Sequence, residues 1–92
     1  MKEIKLKSGI KVKIQEMSVD DIDHCTDMPM LRYENEQVVA IQNLAKARTA
    51  WLRKGVVGGD DKLLRSLSDD DKNELSMAVQ EFQRLGEENR SP

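Results

Sequence analysis

Residues 4–23 read IKLKSGIKVKIQEMSVDDID, and this stretch decides the fold class. Ile4, Leu6, Ile10, Val12 and Ile14 hold even positions, while Lys5, Lys7, Lys11 and Lys13 hold odd ones. A period of two belongs to a strand with one apolar and one charged face. Parity then selects the turn. Directly paired residues share a face, and a two-residue Ser8-Gly9 loop would set Leu6 against Lys11. A three-residue Lys7-Ser8-Gly9 loop pairs Leu6 with Ile10 and Ile4 with Val12, with Gly9 at the left-handed position. A lone hairpin is marginal in water, so its apolar face must cover helices. The lysines suit an exposed sheet edge, where charge discourages stray pairing.

Ser18 follows as a helix cap, with Asp20, Asp21 and Asp23 at the positive end of the helix dipole. Pro29 ends that helix or opens the next. A long helix is expected most firmly over residues 35–54, because Val38, Ile41, Leu44, Ala45, Trp51 and Leu52 recur at three-to-four spacing. Arg53 and Lys54 suit its end, and Gly55 its stop. Val56-Val57-Gly58-Gly59 reads as a flexible link over 55–60. Asp60 or Asp61 caps a short turn carrying Leu63, Leu64 and Leu67. Ser68 caps the last helix, Asp69, Asp70 and Asp71 fill its first turn, and Leu75, Ala78, Val79, Phe82 and Leu85 form its buried stripe up to Gly86. The expected fold is α+β: one domain over 1–92, with an N-terminal β-hairpin over 1–17, a mainly helical part of three or four helices over 18–86, and a polar tail over 87–92.

The 92 residues, 35% charged and 3% aromatic, allow one modest core of aliphatic side chains, Trp51 and Phe82. Net charge is −2, which offers no global attraction to nucleic acid or anionic membrane. The charge is blocked, however: +3 over 1–17, −5 over 18–36, +4 over 37–54 and −4 over 55–92. Such blocks can meet a neighbour or a second copy, although solvated faces account for them too. The single cysteine, Cys25, cannot form an internal disulfide and fits a reducing compartment. No signal-peptide-like run is expected at the start, and no apolar run approaches the ~20 residues that span a bilayer.

Chemistry-bearing patterns are weak. His24-Cys25 among Asp21, Asp23 and Asp27 has no zinc spacing, and adjacent helical residues diverge. Asp69-Asp70-Asp71 lacks the glycine and closing glutamate of a calcium loop, and helix capping explains it. Gly58-Gly59 is not followed by Gly-Lys-Ser/Thr. One histidine with no placed partner argues against acid-base or covalent catalysis. The lysine face lacks the stacking aromatics of single-strand binders. The expectation is a non-enzyme without metal, cofactor, nucleic acid or membrane, whose partners are proteins. The expected partner contacts are Ile10, Lys11, Val12 and Lys13 on the hairpin and Trp51, Leu52 and Val56 by the link, with core membership as the alternative for several of the apolar ones.

The pattern apolar-x-apolar-x-Ser-Gly-x-x-Val-x-Ile, followed by Glu16-Met17-Ser18-Val19-Asp20-Asp21, resembles the N-terminal region of tail assembly chaperones of tailed bacteriophages. The resemblance covers residues 3 to about 24, and beyond them only the helical layout and size agree. It implies a protein of the host cytoplasm that coats a long helical tape-measure protein, keeps it soluble, recruits the major tail protein and leaves before the tail is complete. It also implies that homo-oligomers can form. No functional residue carries over by motif. The competing expectations are a structural virion component, such as a tail or baseplate connector, and a small regulatory interaction protein.

Overall fold

The computed structural model describes the backbone of residues 1–90 and the side chains of residues 1–84. Its elements run β1 (Lys2–Lys5), β2 (Lys11–Ile14), α1 (Val19–Asp27), β3 (Met30–Glu34), β4 (Gln37–Gln42), α2 (Leu44–Gly55), α3 (Asp61–Ser66) and α4 (Asp69–Arg90). The strands form two separate antiparallel hairpins, β1–β2 and β3–β4. The result is a small α+β domain that begins with a hairpin and carries four helices.

The first hairpin takes the register that parity dictates. Ile4 pairs with Val12 and Lys5 with Lys11, the Leu6 amide donates to the Ile10 carbonyl at 2.8 Å, and Gly9 has φ +96°. Its apolar face, with Leu6, Val12 and Ile14 buried and Ile4 and Ile10 partly so, lies on the helices. Two side chains of α4 hold it there. Gln83 Oε1 accepts from the Met17 amide at 2.9 Å while its Nε2 donates to the Gln15 carbonyl at 2.8 Å, and Glu74 accepts from the Lys7 amide at 3.1 Å.

The capping residues act as their chemistry demands. Ser18 Oγ accepts from the Asp21 amide at 3.1 Å, and Asp60 accepts from the Leu63 amide at 3.0 Å. Ser68 and Asp71 form a reciprocal pair at the start of α4, with distances of 3.1 and 3.4 Å. The helix α1 stops at Asp27; Met28 keeps helical angles, but Pro29 has no N–H to continue the ladder.

Four expectations are corrected. Pro29 does not open a helix, since β3 follows it. The helix expected over 35–54 covers only Leu44–Gly55, and a second hairpin takes the residues before it. Tyr33, Val38, Val39 and Ile41 favour a pleated strand, and Asn35 and Glu36, with φ of 51° and 68°, make the tight turn that matches strand twist. The 55–60 segment is not a loose link. Its residue Val56 bridges to Ile14, the Val57 amide donates to the Lys13 carbonyl at 2.9 Å, and the Gln15 amide donates to the Gly55 carbonyl at 2.9 Å. Finally, α4 runs through Gly86 to Arg90, and so takes in residues 87–90 of the expected polar tail. Residues 91 and 92 lie outside the described residues, as does the Leu85 side chain.

The core joins Leu6, Val12 and Ile14 with Met17, Cys25, Trp51, Leu52, Val56, Leu64, Leu67, Leu75 and Val79. Gly55 sits where α2 meets α4. A β-carbon there would overlap the Val79 side chain and lie 3.3 Å from Met17 Sδ, so close approach is a second reason for glycine at this helix end.

Candidate protein-docking surface

The β3–β4 hairpin stands apart from this core. All five residues of β3 and all six of β4 are exposed. Its base is tied by Asn43, whose Nδ2 donates to the Met28 carbonyl at 3.2 Å. Asn43 itself has φ +66°, a left-handed turn of the chain that asparagine tolerates better than most residues.

The pairing sorts the side chains into two faces. Leu31 pairs with Ile41 and Tyr33 with Val38, while Met30 pairs with Gln42, Arg32 with Ala40 and Glu34 with Gln37. A bulge falls between Arg32 and Tyr33, and Val39 is the extra residue. Alternation from Ile41 places Val39 on the Leu31 face, and pairing with Tyr33 places Val38 there as well. One face is therefore Leu31, Tyr33, Val38, Val39 and Ile41, each between 49% and 60% exposed. The other face is mostly polar.

The bulge also explains why the sequence reads as a helix here. In a regular strand, residues three apart point to opposite sides. The extra residue brings Val38 and Ile41 to one side at helical spacing. Tyr33, the Val38-Val39-Ala40-Ile41 run and Asn35 were the signals that could have revealed the strand pair.

Below the hairpin, Trp51 and Met77 border two shallow grooves. One is lined by Ile22, Gln80 and Arg84, the other by Pro29, Leu44 and Arg48. Leu44 and Met77 are exposed. Arg48 donates to Asn73 Oδ1 at 3.0 Å and pairs with Asp69 at 3.4 Å.

The residues expected to contact a partner divide sharply. Lys11 and Lys13 are exposed, and Ile10 is partly buried. Val12, Trp51, Leu52 and Val56 lie together in the core and offer little or no surface. Leu52 and Val56 are corrected outright, because their neighbours in the fold already cover them. Trp51 keeps only an edge at the grooves.

His24 is exposed and Cys25 is buried, so the neighbours face different surroundings. Burial pushes the Cys25 thiol pKa up, the Asp21 carboxylate adds to this, and Lys54 opposes it. At the surface, the Arg53 guanidinium hydrogen-bonds Asp61 and holds its carboxyl below the usual range. Among the described residues no helix is long and apolar enough to cross a membrane. No family model matches the chain, and no curated protein or solved structure is detectably similar to it.

Proposed function

We propose that this chain is a non-enzymatic binding protein of the host cytoplasm, a tail assembly chaperone of a tailed bacteriophage. It holds the amphipathic helices of a tape-measure-like partner on the apolar face of β3–β4. The observation that carries this reading is the five-residue apolar face that stays about half-exposed among the described residues. Two-stranded hairpins are marginal in water, and contiguous exposed apolar patches mark interaction sites. A partner helix laid across the face would remove both liabilities. The resemblance over residues 3–24 supplies the biological setting, and the grooves beside Trp51 and Met77 extend the apolar surface toward the helical body.

The test is co-expression with the tape-measure protein of the same phage. The intact chain is expected to keep that protein soluble and co-purify with it. Val39→Lys and Ile41→Lys variants, folded but charged on the face, are expected to lose it. Finished particles should lack the chain. A chain retained in particles is instead a structural connector, and co-purification unaffected by both lysines removes the face from the reading.

A further inference from the structure

A groove of about 280 Å³ lies where α2, α3 and α4 meet. It shares no lining residue with the grooves beside Trp51 and Met77. Leu52 and Leu64, both buried, close its base, and its rim carries Thr49, Arg53, Asp61, Arg65 and Lys72. Three cations thus face one carboxylate, in a chain whose net charge is −2. Arg53 hydrogen-bonds Asp61, and Arg65 is near enough to help hold the Asp61 carboxyl below the usual range. Among the described residues Arg65 and Lys72 have no ion pair and no side-chain hydrogen bond. Lys72 is also partly buried, so its ammonium gives up some water without gaining an anion. Helix dipoles do not account for the cluster. Arg53 and Arg65 stand in the last turns of α2 and α3, where cations are favoured, but Lys72 stands close to the start of α4, where they are not.

We propose that this groove binds a phosphate dianion, free or as the end group of a small monoester, among Lys72, Arg65 and Arg53. The surplus of two positive charges on the rim matches a dianion and exceeds what one carboxylate would neutralise. Guanidinium forks and an ammonium are the side chains that hold phosphate oxygens best, through short charge-assisted hydrogen bonds. The Thr49 hydroxyl adds a neutral donor on the α2 side. The volume lies at the small end of ligand sites, which suits a compact anion and not a long chain. Asp61 is the built-in competitor, since it already occupies part of Arg53. The site goes beyond the docking reading and stands without it, because it uses none of the β3–β4 face.

Amide-shift titrations of the full chain at pH 8, where phosphate is a dianion, test it at constant ionic strength. The probes are inorganic phosphate and phenyl phosphate, with acetate as the singly charged control. Saturable shifts are expected at Thr49, Arg53, Arg65 and Lys72, with a Kd of about 1 mM or tighter for the better phosphate and acetate roughly tenfold weaker. Tighter binding of inorganic phosphate identifies a free ion as the ligand, and tighter binding of phenyl phosphate a monoester. Lys72→Gln and Arg65→Gln should each weaken binding about three- to tenfold. Asp61→Asn removes the competitor and should tighten it, a gain that a damaged fold cannot produce. Lys5→Gln, on the first hairpin, should leave it unchanged. Shifts that never saturate, or that spread equally over the lysines of β1–β2, mean an adventitious ion only and overturn the proposal. So does acetate binding as tightly as phosphate, or an affinity that Asp61→Asn fails to raise.

Discussion

The two hairpins have the same topology and opposite placements. In β1–β2 the apolar face is sunk into the core, and the outward face carries lysines, with Lys5 directly across from Lys11. That like-charged pair costs a little locally but leaves an edge that repels other strands. In β3–β4 the apolar face is open, and β4 (Gln37–Gln42) contains no charged residue. The first hairpin is built to belong to the domain. The second is tied at its base by the Asn43 hydrogen bond to the Met28 carbonyl, and its apolar face stays about half-exposed among the described residues. The same period-two chemistry therefore builds core in one place and an exposed apolar face in the other, and the difference is what covers the apolar side.

The comparison breaks most visibly with matched truncations. Ile14→Ala removes a fully buried side chain and should cost about 3 kcal/mol, whereas Ile41→Ala, half-exposed, should stay within about 1 kcal/mol. Urea melts of both variants measure this, and equal losses would mean the second hairpin is packed as firmly as the first. Next, Gly55→Ala forces a methyl group against Val79 and should cost about 1–3 kcal/mol, read by the same melts.

Gln83→Ala follows. It strips the Met17 amide of its acceptor and the Gln15 carbonyl of a donor, and should cost about 1–2 kcal/mol. Amide exchange should accelerate in β1–β2 and not in β3–β4, which makes this variant a probe of the first hairpin alone. The smallest effect is a pH dependence. The folded pKa of Cys25 is raised, so its contribution is fully present below the ordinary thiol pKa. As pH rises through that value the unfolded chain releases the proton while the folded chain keeps it, and stability falls until the folded pKa is passed. Wild-type melts should therefore weaken more steeply on the alkaline side than those of Cys25→Ala.

Much of the fold was legible because its signals are local. Parity set the register of β1–β2, and Ser18, Asp60 and Ser68 marked three helix starts through hydrogen bonds spanning three residues. The candidate surface was not legible. Its bulge turns a strand into a helix-like spacing, so Val38 and Ile41 read as part of a helical apolar stripe. Trp51 reads both as a bulky core member and, with Leu52 and Val56, as a partner contact, because their burial depends on β2 and α4, distant in sequence.

By itself, then, the sequence determined the α+β class, the first hairpin and its register, the helix caps, and the charge pattern, because each depends on neighbours within a few residues. Only the tertiary structure decided which apolar residues are core. The segment after Gly55 closes onto Lys13 and Gln15, and Gln83 is drawn inward to satisfy two backbone groups 66 and 68 residues away. Burial is a property of what packs against a residue. No periodicity along the chain could say that one hairpin finds helices to cover it and the other does not.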